Sequence, residues 1–430
     1  MDRRLIRSIF SLSVPAIITN ITTPLLSITD VAIVGHMGSA VFIAAIALGG
    51  TMFNMLYWLC GFLRMGSSGL TAQAFGGNNI NETHMILARA LALAFIIGGI
   101  FVVMQLPLLD VLLLIMDGDA ATVELARDYF SICIWGAPAV LGTFVLTGWF
   151  VGMQDSRTPM WVSIFIDVLN ILVSLALVFG LKLRITGVAF GTLTAQWAGF
   201  LLGLWLCVRR NGWIKVTLGE VFDGGKLREF FRINADIFLR TLCLVAVTMW
   251  FTRVGSMQGA LMLAVNALLM QLFTLFSFFM DGIAFAAEAL CGRFKGAGDH
   301  KSLRDATRAI LMAGGVLALL FTMVYVMFGS DFLQLLSSDG DVVSTAKEYF
   351  VWAMCIPLAG FGAFMWDGVF IGITRTRAML WSMAIAAAVY FVCYFVLFPK
   401  VGNHGLWIAF LSYLFIRGAA LTVAGRRYLF

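Results

Sequence analysis

AMLWSMAIAAAVYFVCYFVLF, Ala378–Phe398, runs for 21 residues without one charged side chain. A helix of about 20 apolar residues is as long as the hydrocarbon core of a bilayer is thick. The stretch therefore reads as a membrane span, and the rest of the chain is written in the same style. Of 430 residues, 61% are hydrophobic and 12% charged, with a mean hydropathy of +0.95. A soluble domain is roughly half apolar and a quarter charged, so there are too few charges here to cover a water-soluble globule of this size. Working outward gives twelve candidate spans, centred near residues 22, 53, 99, 139, 170, 197, 242, 275, 318, 358, 388 and 414. Several exceed the needed length and are expected to tilt or bend. The opening MDRRLIR followed by an apolar run looks like a signal peptide. That run contains Pro15 and Asp30 and has no small-x-small cleavage site, so it reads as a retained first helix.

The net charge of +6 does not indicate a nucleic-acid partner, because the cations form short clusters between apolar runs and do not interleave with aromatics. They fit positive-inside topology. An even number of spans places both termini on one side, with 20 Lys and Arg against 6 on the other, and that side is expected to be cytoplasmic. The seven cysteines form no CxxC pair and the four histidines are scattered, which excludes a disulfide or zinc framework as the organising feature.

The longest polar interruption, 211–226, divides the chain into an amino-terminal lobe, 1–210, and a carboxy-terminal lobe, 227–430. The halves repeat. Tyr129-Phe130, Gly148, Phe150, Gly152 and Arg157 recur as Tyr349-Phe350, Gly368, Phe370, Gly372 and Arg377, each displaced by 220 positions. Val34-Gly35-x-Met37 recurs at the same displacement as Val254-Gly255-x-Met257. Six spans repeated with even parity give two copies of like orientation. The expected fold is an all-α integral membrane protein, twelve transmembrane helices in two pseudo-symmetric six-helix lobes around a central cleft.

No Walker A motif is present; Gly219 to Lys226 comes nearest and is off by one. Nor is there a hydrolytic constellation, so the chain reads as no enzyme, with no cofactor, and an ion gradient must supply any work. Carboxylates within spans then command attention, because ionisable groups there are costly and mark function. Asp30 closes the polar-punctuated run Thr22–Asp30 in the first span; the competing reading is a helix cap at the outer interface near His36. Asp167 and Asn170 lie one turn apart in the fifth span, Ser174 continues that face, and Thr192 in the sixth can approach it. For Ser174 and Thr192, interhelical hydrogen bonding is an equal alternative. In the second half, Asp236 and Arg240 have the spacing of a structural ion pair. Asp281 and Glu288 share a face of the eighth span, and Asp367 with Trp366 lies in the tenth; these line the second lobe as candidates. Met280 belongs to a Met- and Phe-rich set that is mostly core, with a subset suited to an adaptable apolar pocket. Pro15 and Pro24 are candidate bending points of the first helix, Pro24 being close to Asp30.

Thr29-Asp30-Val31-Ala32-Ile33-Val34-Gly35-His36-Met37-Gly38 resembles the first-helix signature of multidrug and toxic compound extrusion (MATE) transporters. So does the second-helix tail Gly66 to Gly76, which contains Gln73. Asp281-Gly282-Ile283-Ala284-Phe285-Ala286-Ala287-Glu288-Ala289-Leu290 is similar to the eighth helix of the DNA-damage-inducible F (DinF) branch, and Gly148 to Pro159 also fits the family. The resemblance covers the whole chain. It implies two six-helix lobes exporting cationic or amphipathic compounds in exchange for protons or sodium, Asp30 being the coupling carboxylate and Gln73 a cavity candidate. The family's cation site uses an asparagine, an aspartate four residues later and a threonine in the next helix. Asn170 and Thr192 match, but the aspartate position carries Ser174. A sodium site at Asp30, Asn170 and Thr192 is thereby weakened unless Asp167 substitutes, and proton coupling is favoured.

The resulting expectation is a proton-coupled efflux antiporter for organic cations or amphipathic compounds with Asp30 as its protonation switch; it would act as a monomer in a bacterial inner membrane, with small cationic or amphipathic substrates and the bilayer as its partners. A flippase for lipid-linked substrates is the alternative. It would want a basic cavity, whereas intramembrane cations are few: Arg64, Arg240 and Arg417.

Overall fold

A computed structural model describes residues 3–35, 40–115, 119–212, 218–221 and 223–429, without the side chains of 23–28, 40, 115, 218 and 220. Among the described residues every regular element is a helix. The first half contains α1 (Arg3–Gly35), α2 (Ala40–Leu59), α3 (Phe62–Gly76), α4 (Ile80–Val103), α5 (Gln105–Ile115), α6 (Ala120–Cys133), α7 (Ala137–Gly152), α8 (Arg157–Leu175) and α9 (Arg184–Asn211). The short α10 (Leu218–Val221) follows. The second half contains α11 (Gly224–Met257), α12 (Ala260–Gly296), α13 (His300–Leu336), α14 (Gly340–Gly372), α15 (Thr376–Val401) and α16 (Asn403–Leu429). Among the described residues, twelve stretches are long and apolar enough to cross a membrane, α2 with α3 and α6 with α7 each forming one.

The repeat seen in the residues extends to backbone conformation. Asn79 caps α4 by accepting from the Glu82 N–H, and Asp299, 220 positions on, caps α13 from Ser302. Asp119 and Asp339 cap α6 and α14 in the same register. The left-handed turn residues Asn78, Gln154 and Lys182 (φ 54°, 65° and 56°) are matched by Gly298, Thr374 and Gly402 (φ 70°, 53° and 58°). The tightest helix contacts repeat as well. A methyl group on Gly148 would overlap the backbone of Arg64, and one on Gly368 would overlap the backbone of Ala284, each residue being displaced by 220 from its counterpart. Close backbone approach through small residues is how spans pack without a hydrophobic driving force between them.

By contact the chain forms two units, residues 18–230 and residues 1–17 with 231–430. The lobes drawn from sequence put all of α1 in the amino-terminal half; the first 17 residues instead group with the second, where Gly282 of α12 lies against Ile17 and Ser13. Part of the expected linker, 213–217 and 222, lies outside the described residues, as do His36 and Met37 and the side chain of Pro24. Pro15 is buried in α1. Pro138 stands at the start of α7, after a 3₁₀ turn over Ile134–Gly136, where a missing N–H costs nothing. All seven cysteines are free thiols.

Gly148→Ala should lower stability by roughly 1–3 kcal/mol through overpacking. Gly99→Ala, whose methyl group meets nothing within 4 Å, should be neutral or raise stability by up to about 1 kcal/mol. Thermal melting of both in detergent checks the contrast. The Asp299 carboxyl is held below its ordinary 3.8 by the Ser302 hydroxyl and then the Ser302 N–H. These donors are in place only in the folded chain, so their stabilisation is present above pH 3.8 and is lost as pH falls through the lower folded value. The gap in melting temperature between wild type and Asp299→Ala should therefore hold steady at neutral pH and close in acid.

Candidate functional site

Asp30, near the end of α1, is 5% exposed, and its Oδ1 has no hydrogen-bond partner among the described residues. Asp167 of α8 is half-buried and near enough for its charge to act on Asp30. The Thr22 hydroxyl of α1 donates to the Thr19 carbonyl at 3.0 Å, and Asp167 Oδ2 is buried without a hydrogen-bond partner among the described residues. Tyr129 and Cys133 of α6 are buried beside them, and the Cys133 thiol donates to the Ala189 carbonyl at 3.7 Å. Phe53, Phe130, Ile33 and Val188 belong to the apolar core around this group.

Beside the carboxylates runs a closed relay. Ser174 Oγ donates to Asn170 Oδ1 at 3.3 Å, Asn170 Nδ2 donates to Thr192 Oγ1 at 2.9 Å, and Thr192 donates to the Val188 carbonyl at 3.1 Å. The relay joins α8 to α9, and Gly191 permits it, since any side chain there would overlap Ser174. The structure thus brings together Asp30, Asp167, Asn170, Ser174 and Thr192, all within the unit of residues 18–230. Sequence reasoning missed Tyr129 and Cys133. Tyr129-Phe130 was visible as half of a repeated pair, but nothing in helical spacing puts α6 beside α1.

In the other unit, Asp367 of α14 receives both Arg240 of α11 and Arg417 of α16, and all three are buried. The helical spacing of Asp236 and Arg240 anticipates an ion pair; Arg240 pairs with Asp367, 127 positions away, and Asp236 accepts from Thr376 at 3.0 Å. Asp281, half-buried, and Glu288, 1% exposed, add negative charge around Arg240. Arg417 also lies over the Phe364 ring, 5.8 Å from its centroid. Met280 is fully buried, and Trp366 packs against Gly425 and Phe370, so both belong to the bundle interior. Gln73 is half-buried in α3.

The MatE family model matches residues 15–175 and again 236–396, one copy in each half. The chain belongs to this family of transporters. It is 37% identical over 98% of its length, and over 92% of the relative's, to DNA damage-inducible protein F of Escherichia coli. It is 22% identical over 96% of its length, and 90% of the relative's, to a probable multidrug resistance protein, NorM, of Thermotoga maritima. In fold it is similar to a MOP superfamily transporter from Pyrococcus furiosus, with a TM-score of 0.87 and 20% identity, covering 98% of this chain and 95% of that one. It is similar also to a MATE transporter in a bent conformation, with a TM-score of 0.86 and 21% identity, covering 99% and 95%.

Removing Asp367 would leave two buried guanidiniums sharing less negative charge, and breaking a buried pair costs about 3–5 kcal/mol. Asp367→Ala should therefore melt far below wild type in detergent. An equal melting temperature would show that the triplet contributes nothing to the fold.

Proposed function

We propose that the chain is a secondary antiporter that exports organic cations or amphipathic compounds in exchange for protons, with Asp30 as the proton-binding switch. One observation carries this reading: the buried Asp30 carboxylate has an oxygen without a hydrogen bond, beside a second carboxylate, Asp167. Two carboxylates close together and out of water repel one another when both are ionised. A proton on Asp30 relieves that repulsion and shifts the balance between arrangements of α1 against α6 and α8. Ligands of this kind move an equilibrium only by their differential affinity for its two states.

Sodium is the less favoured coupling ion. Asn170 Oδ1 and Thr192 Oγ1, the neutral oxygens such a site would use, already accept from Ser174 and Asn170. Lipid flipping is less favoured too, since two of the three intramembrane cations, Arg240 and Arg417, are committed to Asp367 and so are poorly placed to hold a pyrophosphate. Multidrug resistance is what the name of the NorM relative attributes to that protein, and extrusion of drugs and toxins is what the name of multidrug and toxin extrusion protein 2 of mouse attributes to that one. The Lys and Arg distribution supports cytoplasmic termini, in a bacterial inner membrane.

In proteoliposomes with the proton and sodium gradients imposed separately, wild type should move a cationic dye under a proton gradient alone. Asp30→Asn, which cannot ionise, should fold normally and lose at least about tenfold of that transport. Undiminished proton-driven transport by the variant would remove Asp30 from the mechanism, and transport driven by sodium alone would remove the proton.

A further inference from the structure

At the end of the second unit where its cations gather, a cavity of about 350 Å³ opens between the start of α15, the first turns of α11 and the end of α16. Three guanidiniums line it, Arg232, Arg375 and Arg377, against one carboxylate, Asp236, with Trp381 and Tyr428 at its wall. Arg375 lies over the Tyr428 ring, 5.1 Å from its centroid. Trp381 and Tyr428, 60% and 45% exposed, stand at the ends of spans, where aromatic side chains meet the headgroup layer.

The matching corner of the first unit shows what is missing. There Asp155 precedes α8, accepts from the N–H groups of Arg157 and Thr158 at 3.0 and 3.1 Å, and is paired with Arg210. An anion thus sits at the start of that helix, joined to an arginine. The position 220 residues later is Arg375, after the same left-handed turn, and no side chain caps α15. Arginine has replaced the internal carboxylate, and a cavity with an excess of positive charge stands there.

We propose that this cavity binds a phosphate-bearing anion, held by the guanidiniums of Arg232, Arg375 and Arg377 at the start of α15. Guanidinium forks suit phosphate oxygens, and the unpaired N–H groups at the start of a helix add to that field. An anionic phospholipid headgroup and free phosphate present the same chemistry to such a site.

The full chain, purified in detergent and stripped of lipid, would be titrated with phosphatidylglycerol, phosphatidylcholine and inorganic phosphate while melting temperature and native mass are read. Phosphatidylglycerol should bind and raise the melting temperature, and phosphatidylcholine should not. Arg375→Asp, which restores the carboxylate of the first unit, should melt no lower than wild type without lipid and bind phosphatidylglycerol at least tenfold more weakly. Arg377→Gln should weaken binding severalfold, and it decides the matter if Arg375→Asp does not fold. The same shift from inorganic phosphate alone, lost in the variants, supports the site with a soluble source. Undiminished phosphatidylglycerol binding by Arg377→Gln and any folded Arg375→Asp, or equal binding of phosphatidylcholine, overturns it.

Discussion

Across about 30 Å of hydrocarbon there is no water to solvate a charge or an amide. Each backbone group must be satisfied within its own segment, which makes every regular element among the described residues a helix. Each buried charge must be answered by another side chain, and the two units answer differently. Asp367 is closed between two arginines. Asp30 has no ion-pair partner among the described residues; Oδ1 of either carboxylate accepts no hydrogen bond, and only Oδ2 of Asp367 is held by the arginines. The first arrangement ties three helices together through charge; the second leaves a buried carboxylate without a paired cation, which is what the proposed coupling role builds on.

The repeat sharpens this contrast. Helix starts, caps and left-handed turns recur at a displacement of 220, so backbone geometry is held constant while chemistry varies. Asp30 and Asn170 become Trp250 and Tyr390 in the second copy. Trp250 there packs edge-on against Phe391 and Tyr394, at 5.7 and 5.8 Å. Asp155 becomes Arg375, turning an internal helix cap into a basic cavity. Duplication supplied two equivalent scaffolds, and the polar substitutions gave each its own electrostatics.

Much of the polar site was legible. Asp30, Asp167, Asn170, Ser174 and Thr192 stand out because a polar side chain in an apolar span is conspicuous, and the i, i+3 and i+4 spacings put the α8 residues on one face. Their division of labour was not legible. For Ser174 and Thr192 the sequence left ion handling and interhelical hydrogen bonding as equal alternatives, and the hydrogen bonds of Asn170, Ser174 and Thr192 run to one another and to Val188. Arg240 was matched by spacing to Asp236, because local periodicity sees only its own helix.

The sequence by itself determined that the chain lies in a membrane, that it crosses twelve times and that its halves repeat, since length, hydropathy and displacement are properties of a line of residues. Tertiary structure decided which buried carboxylate is paired with arginine, Asp367, and which is not, Asp30. It also decided that the first 17 residues of α1 group with the second unit, and that Tyr129 and Cys133 stand beside Asp30. Those outcomes depend on which helices touch, and in lipid that follows from the fit of small residues such as Gly191 and Gly282 against particular neighbours.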